Sequence, residues 1–250
     1  MMKYILSPDQ AGVLARVAHA RALIAFDFDG TLAPIVPDRT RAAMRDSTRA
    51  LLASLARLYP VAVVSGRARS DVAARMEPIE LRHVVGNHGM ECDGEHLGFT
   101  GDLAAVRATL ARELAGAPGV EIEDKRLSLS VHYRAAPSHA EALARIERAI
   151  EEVDRPIRVI GGKLVTNVLP AGATNKGDVM LELVEREHVD VAVYVGDDVT
   201  DEDVFELDRP DRIVALRVGE AATSAADFYL REQDEIDQLL ARLVELRSGV

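Results

Sequence analysis

The stretch ALIAFDFDG, residues 22–30, joins five apolar residues directly to Asp27-Phe28-Asp29-Gly30. A short apolar run that stops at Asp and Gly has the pattern of a strand buried on both faces and running into a loop. In open α/β sheets, ligands gather beyond the carboxyl ends of the strands, so Asp27 and Asp29 fall where such folds place function. Working outward, the same pattern returns in VAVVSGR (61–67), HVVGNHG (83–89), VAVYVGDD (191–198) and IVALRVG (213–219). Between these runs lie stretches of helical periodicity: Pro8–Ala20, residues 40–58 with Leu51, Leu52, Leu55 and Leu58, Ser70–Met76, residues 174–187, and a closing helix lined by Leu239, Leu240, Leu243 and Leu246. Buried strands alternating with helices predict an α/β fold on a parallel sheet.

The middle of the chain breaks this rhythm. After GFTGD (98–102) come a helix over Leu103–Leu114 and two close strands, GVEIED (119–124) and LSLSVHYR (127–134). In the second strand Leu127, Leu129, Val131 and Tyr133 alternate with Ser128, Ser130 and His132, the pattern of an antiparallel strand with one apolar and one polar face. A helix over Ser138–Val153 follows, with Ser138 as N-cap and Glu141 at capping-box spacing. IRVI and KLVTNVL then read as a hairpin turning at Gly161-Gly162. The expected organisation is a core over 1–100, an inserted α+β unit over 101–170, and the rest of the core over 171–250.

Composition narrows the function classes. The 250 residues carry 41 Asp and Glu against 30 Lys and Arg, a net charge of −11. An acidic chain is poorly suited to nucleic acid or an anionic membrane, which call for clustered cations. An anionic substrate would therefore need locally supplied positive charge. The single cysteine, Cys92, excludes an intrachain disulfide and reads as a small buried apolar residue. No apolar run approaches the ~18 residues of a membrane span, and Pro8, Asp9 and Gln10 interrupt any signal-peptide core. A cytoplasmic protein is expected, as a monomer, without nucleic-acid or membrane partners.

Four constellations carry chemistry. Asp27 and Asp29 can face one small volume, where two carboxylates repel unless a cation such as Mg²⁺, which prefers oxygen ligands, neutralises them. Ser65-Gly66-Arg67 offers a hydroxyl, exposed backbone N–H groups and a following helix start, which together make an anion cradle. Lys176, one of only four lysines among 30 basic residues, stands near a helix start where a compact ammonium can hold a phosphoryl group. Residues 196–203, GDDVTDED, crowd five acidic residues beyond a buried strand, which fits a cation site and equally an acidic helix N-terminus. Each signal is weak alone; their convergence on strand ends and a helix start is not.

The order DFDGT, VSGR, the Lys of NKG and GDDVTDED resembles the haloacid dehalogenase (HAD) superfamily of phosphotransferases. More closely, DFDGTLAPI (27–35), VSGR (64–67), GNHG (86–89), EDKRLSLSVHYR (123–134) and GDDVTDEDVF (196–205) resemble the signatures of the trehalose-phosphate phosphatase family, and the insertion resembles its cap. The resemblance implies a HAD-like Rossmannoid core with an inserted α+β cap, and an Mg²⁺-dependent phosphatase acting on a sugar phosphate through an aspartyl-phosphate. It implies Asp27 as nucleophile and Asp29 as acid and base. Asp27, the Asp29 carbonyl and Asp197 would ligate Mg²⁺, with Asp198 or Asp201 as outer support. Ser65, Gly66, Arg67 and Lys176 would bind the phosphoryl oxygens. Glu123, Lys125, Arg134 and Asn167 of the cap would face the sugar, joined by Asn87 and His88 of the core.

One departure bears on specificity. The family carries an acid and an Arg before the Pro of its last cap strand, where this chain has Asn167 and Leu169. Hydrolysis of trehalose 6-phosphate is the first expectation, and a phosphatase of another glycosyl phosphate, such as sucrose phosphate or a glycosyl-phosphoglycerate, is the runner-up. A non-catalytic sugar-phosphate binder is the alternative from a different class.

Overall fold

The computed structural model describes residues 2–92, 95–96, 103–207 and 212–249. The described chain divides into two compact units, Met1–Glu95 with Asn175–Val250, and His96–Thr174. GFTGD (98–102), and with it the expected first boundary, lies outside the described residues. The second unit runs on to Thr174 because the backbone beyond the last cap strand stays tied to it. Ala171 N donates to Pro156 O at 3.0 Å and Ala173 N to Pro170 O at 3.2 Å.

In chain order the strands are β1 (Lys3–Tyr4), β2 (Ala22–Phe26), β3 (Val61–Val64), β4 (His83–Gly86), β5 (Glu91–Cys92), β6 (Glu95–His96), β7 (Glu121–Asp124), β8 (Leu129–His132), β9 (Ile157–Gly162), β10 (Val165–Pro170), β11 (Val191–Gly196), β12 (Ile213–Val218) and β13 (Phe228–Leu230). The helices are α1 (Ala11–His19), α2 (Asp46–Ala56), α3 (Arg69–Met76), α4 (Leu103–Glu113), α5 (His139–Glu151), α6 (Lys176–Arg186), α7 (Glu202–Phe205) and α8 (Ile236–Ser248). The large sheet has the order β1-β13-β12-β11-β2-β3-β4-β5-β6. Its pairs from β1 to β4 are all parallel, and β5 returns antiparallel to β4.

The central strands are buried along their whole length, as their unbroken apolar runs require. Ile24, Phe26, Val61, Val63, Val193 and Val195 share one core with Leu14 of α1, Leu52 and Leu55 of α2, and Leu239, Leu240 and Leu243 of α8. The alternate positions Leu23, Ala25 and Tyr194 point to the opposite face. α2 starts six residues later than its apolar spacing suggests. Asp38 caps a short 3-10 turn at Arg39–Arg41 by accepting from Thr40 N, so the chain enters the helix only at Asp46. The edge strand β1 and its neighbour β13 are too short to show a period in the sequence and form by pairing with each other, β13 also with β12.

The second unit is a four-stranded sheet, β7-β8-β10-β9, antiparallel throughout. Leu129, Val131 and Val168 pack on Val106 and Leu110 of α4 and Ala142 and Ile146 of α5. Ser138 caps α5 as expected, accepting from Glu141 N at 3.4 Å. Two expectations change here. The hairpin turns at Lys163-Leu164, not Gly161-Gly162: Val165 pairs with Gly162 and Thr166 with Gly161. That register zips six residue pairs, through Pro170 opposite Ile157, whereas a turn at the glycines would leave four residues of β9 against the wrong partners. Ser128 and Ser130, on the expected polar face, are fully buried.

Candidate active site

The carboxyl ends of β2, β3 and β11 and the start of α6 bring the four constellations together. Asp27 N donates to Val195 O at 2.8 Å, extending the ladder by one residue and holding Asp27 at the strand end. The chain then closes a tight loop, with Ala33 N donating to Phe28 O at 2.8 Å and Gly30 N to Ala33 O at 2.7 Å. Gly30 takes φ +88°, and a Cβ there would lie 2.2 Å from Oδ2 of Asp197, so only glycine lets this loop meet the acidic loop.

Lys176 is the first residue of α6, capped by Asn175, whose side chain accepts from Asp178 N at 2.8 Å while Asp178 returns a bond to Asn175 N at 3.0 Å. The Lys176 side chain is 2% exposed. Its Nζ donates to Asp27 Oδ1 at 2.9 Å and Asp201 Oδ1 at 2.7 Å. Asp201 is saturated: Oδ1 also accepts from Tyr194 OH at 2.6 Å, and Oδ2 accepts from the backbone N–H of Asp197 at 2.8 Å and of Asp198 at 2.9 Å. Thr31 Oγ1 donates to Asp197 Oδ1 at 3.5 Å.

Burial works against the charge of Lys176, yet Asp201 and Asp27 hold its ammonium well above the ordinary lysine range. Burial also opposes ionisation of Asp201, but Lys176, Tyr194 and the Asp198 amide keep it below the usual carboxylate range. For Asp27 the balance tips the other way: burial, with Asp201 and Asp197 nearby, pushes its pKa well up despite Lys176. A cation among these groups would reverse that, since a bound metal ion is the largest local charge in such a site.

Oxygens of Asp27, Asp197 and Asp201 lie within 4.8 Å of one another, which fits a hard divalent cation. All four lone-pair directions of Asp201 are already used, so Asp27 and Asp197 are the carboxylates able to ligate, and Asp201 orients the loop that carries Asp197. Of the two expected outer supports, Asp198 and Asp201, Asp201 accepts from the backbone N–H groups of both Asp197 and Asp198. Arg217 of β12 braces the same loop, donating to Asp197 O at 2.7 Å and to Glu202 Oε1 at 2.8 Å.

Beside this cluster Ser65 is buried at the end of β3, and its Oγ accepts from Arg67 N at 3.2 Å. Asn87 and His88 are buried in left-handed conformations, φ 50° and 57°. Asn87 N bonds to Arg67 O at 2.7 Å and His88 N to Ser65 O at 3.0 Å, which holds this unusual turn against the Ser65 loop. The His88 ring occupies the space a side chain at Gly66 would need, 2.4 Å from a Cβ placed there. The guanidinium of Arg67, expected on the phosphoryl oxygens, instead grips Asp29, with Nε to Oδ2 at 2.6 Å and NH2 to Oδ1 at 2.7 Å.

In the second unit, pairing sets Glu123 opposite Ser130 and Ser130 opposite Asn167, a row across three strands. Ser130 Oγ donates to Asn167 Oδ1 at 2.6 Å. Glu123 Oε2 lies 3.0 Å from His132 Nε2 and 3.9 Å from Lys125 Nζ. Arg134 is exposed beyond the strand and donates to Lys163 O at 3.2 Å.

Sequence reasoning passed over Tyr194, Arg217 and Asp71, whose Oδ2 accepts from Arg67 NH1 at 2.8 Å. The signal for Tyr194 was present: a phenol in an aliphatic strand needs a partner for its hydroxyl. Nothing local distinguishes Arg217 or Asp71 from ordinary surface charges.

A parallel sheet that gathers these loops on one edge, interrupted by an α+β insertion, is a HAD-type fold. The profile of the family described as trehalose-phosphatase matches residues 25–233. The trehalose-phosphate phosphatase of Mycobacterium ulcerans is 32% identical over 263 residues, covering 96% of this chain and 67% of that protein. Among solved structures, the C-terminal domain of Candida albicans trehalose-6-phosphate phosphatase superposes with TM-score 0.83 at 22% identity, covering 98% of each chain. A HAD-superfamily phosphatase from Bacteroides thetaiotaomicron superposes with TM-score 0.64 at 18% identity, covering 92% of this chain and 97% of that one. The chain belongs to the trehalose-phosphatase family.

Proposed function

We propose that this protein hydrolyses trehalose 6-phosphate to trehalose and phosphate, through phosphorylation of Asp27. The observation that carries the reading is the buried Lys176 ammonium shared between Asp27 and Asp201 at the edge where Ser65 and Asp197 also converge. Lys176 donates to Oδ1 of Asp27 and fixes its rotamer, and among the described residues no donor reaches Oδ2, which is left to attack phosphorus. As the new P–O bond forms, the bond from phosphorus to the sugar oxygen breaks, and Asp29 gives that oxygen its proton. Asp29 then takes a proton from a water molecule that attacks the aspartyl-phosphate, releasing phosphate and restoring both carboxyl groups. Lys176, Ser65 and the backbone N–H groups at Gly66 hold the transferring oxygens. Asp27, Asp197 and the Asp29 carbonyl would hold Mg²⁺, which supplies positive charge that lets an anionic carboxylate approach an anionic phosphate.

Glu123, Lys125, Asn167 and Arg134 of the second unit, with Asn87 and His88 of the first, are the residues proposed to contact the sugar. A charged pair on a strand suits hydroxyls once water is excluded. A second reading, a phosphatase of another glycosyl phosphate, is favoured by Asn167 itself: it is neutral, buried and already bonded to Ser130. The acidic charge and the lone buried cysteine support a cytoplasmic setting.

Phosphate release from a panel of sugar phosphates, with and without EDTA, tests the assignment. Trehalose 6-phosphate is expected to be turned over fastest and EDTA to stop turnover. Asp27→Asn is expected to lose turnover with an unchanged circular dichroism spectrum; a variant at wild-type rate would exclude the covalent route.

A further inference from the structure

We propose that Arg67 is a positioning residue for Asp29: its guanidinium holds the acid/base carboxylate in register and does not bind the phosphoryl group. The proposal rests on the reading of Asp29 as acid and base given above. Its basis is a fork-to-fork pair, Nε to Oδ2 at 2.6 Å and NH2 to Oδ1 at 2.7 Å, a geometry that fixes the plane of a carboxylate as well as its distance.

Arg67 is itself anchored from three other directions. NH1 donates to Asp71 Oδ2 at 2.8 Å, NH2 donates also to Arg39 O at 2.8 Å, and the guanidinium carbon stands 5.5 Å from the centre of the Phe28 ring. Four of its five N–H donors are thereby used, one on Nε, one on NH1 and two on NH2. A phosphoryl oxygen could take this side chain only by displacing those bonds. Asp71 is held in turn by Arg75 Nε at 3.0 Å, and Arg75 reaches the carbonyls of Ala42 and Thr40 and lies 5.9 Å from the same Phe28 ring. Charges therefore alternate from Asp29 through Arg67 and Asp71 to Arg75, anchored on α3 and the 39–42 segment.

Exposure separates the fixed member from the working one: the Arg67 side chain is 11% exposed and that of Asp29 38%. A carboxylate that must meet first a sugar oxygen and then a water at nearly the same place benefits from a rigid partner, because small misplacements of a reacting group slow chemistry steeply. The planar fork serves this purpose where a lysine would supply only a point charge.

The test separates leaving-group protonation from phosphoryl binding. Arg67→Gln and Arg67→Lys are compared with wild type and Asp29→Asn in rapid-quench measurements of the first half-reaction. Trehalose 6-phosphate has a leaving alcohol that needs a proton, whereas p-nitrophenyl phosphate has a phenolate that leaves without one. The inhibition constant of inorganic phosphate is measured alongside. For Arg67→Gln, phosphorylation by trehalose 6-phosphate is expected to slow by about tenfold or more, inside the ~100-fold or greater loss expected for Asp29→Asn. The p-nitrophenolate burst is expected to change by less than about threefold and the phosphate inhibition constant by less than about twofold, with Arg67→Lys between Gln and wild type. Should Arg67→Gln not fold, Arg67→Lys and Asp71→Asn, which removes the second anchor, are expected to show the same leaving-group dependence in smaller measure. A rise in the phosphate inhibition constant with equal slowing on both substrates would overturn the proposal, as would wild-type rates on both. Equal slowing of both substrates by Asp29→Asn would instead overturn the acid/base reading of Asp29, and does so independently of Arg67.

Discussion

At the residue scale the decisive object is one ammonium group. Lys176 is sealed between Asp27 and Asp201, and breaking such a buried pair leaves a carboxylate with no compensating charge. Lys176→Met is therefore expected to lose turnover and to destabilise the fold by about 3–5 kcal/mol, measured by urea denaturation. A loss below about 1 kcal/mol would show that water or an ion replaces the ammonium. Tyr194→Phe removes one of four bonds to Asp201 and is expected to cost about 1 kcal/mol. Asp27, Asp29, Lys176 and Asp201 were legible in the sequence because their charges stand where an apolar run or a helix begins or ends. The partner of Arg67 was not, because Arg67 and Asp29 lie 38 residues apart and only the pairing of β2 with β3 makes them neighbours.

At the element scale, α6 presents Lys176 only while its N-terminus is capped. Asn175→Ala removes one arm of the reciprocal box and is expected to cost about 1 kcal/mol in thermal or chemical denaturation. A second junction ties α2 to α8: Asp237 accepts from Ser47 Oγ at 2.6 Å, from the Thr48 hydroxyl and from Arg45 NH2 at 3.2 Å. Burial alone would raise the Asp237 carboxyl, but these hydrogen bonds hold it below its ordinary value. A depressed carboxylate stabilises the fold above its unfolded pKa of about 3.9, and the contribution fades as pH falls through the lower folded value. Asp237→Asn is thus expected to be about 1–3 kcal/mol less stable than wild type at pH 7, with the gap closing in urea titrations taken progressively below pH 4. Element identities were mostly legible, since apolar runs and helical spacing are local properties. The β9–β10 turn was not: the glycine pair marked a permissive site, while the number of strand pairs formed chose Lys163-Leu164.

At the scale of the whole molecule, a net charge of −11 and three carboxylates converging within 4.8 Å make the fold a natural host for a divalent cation. A ligand that binds only the folded state stabilises it by mass action, about 2.7 kcal/mol at a hundred times its dissociation constant. Adding Mg²⁺ is expected to raise the melting temperature of the protein, EDTA to reverse the rise, and Asp197→Asn to abolish it. A midpoint insensitive to Mg²⁺ would remove the cation from the site.

What the sequence by itself determined is everything that depends on neighbours along the chain: buried parallel strands, the helices between them, the change of pattern in the middle, and charged residues set at element ends. Tertiary structure alone decided which oxygen faces which nitrogen. It saturated Asp201, turned Arg67 toward Asp29, and buried Ser128 and Ser130. The reason is that hydrogen bonds and desolvation act through space over a few ångströms, and strand order, which brings Lys176 to Asp27 and Asp201 and Arg67 to Asp29, is not a local property of any segment.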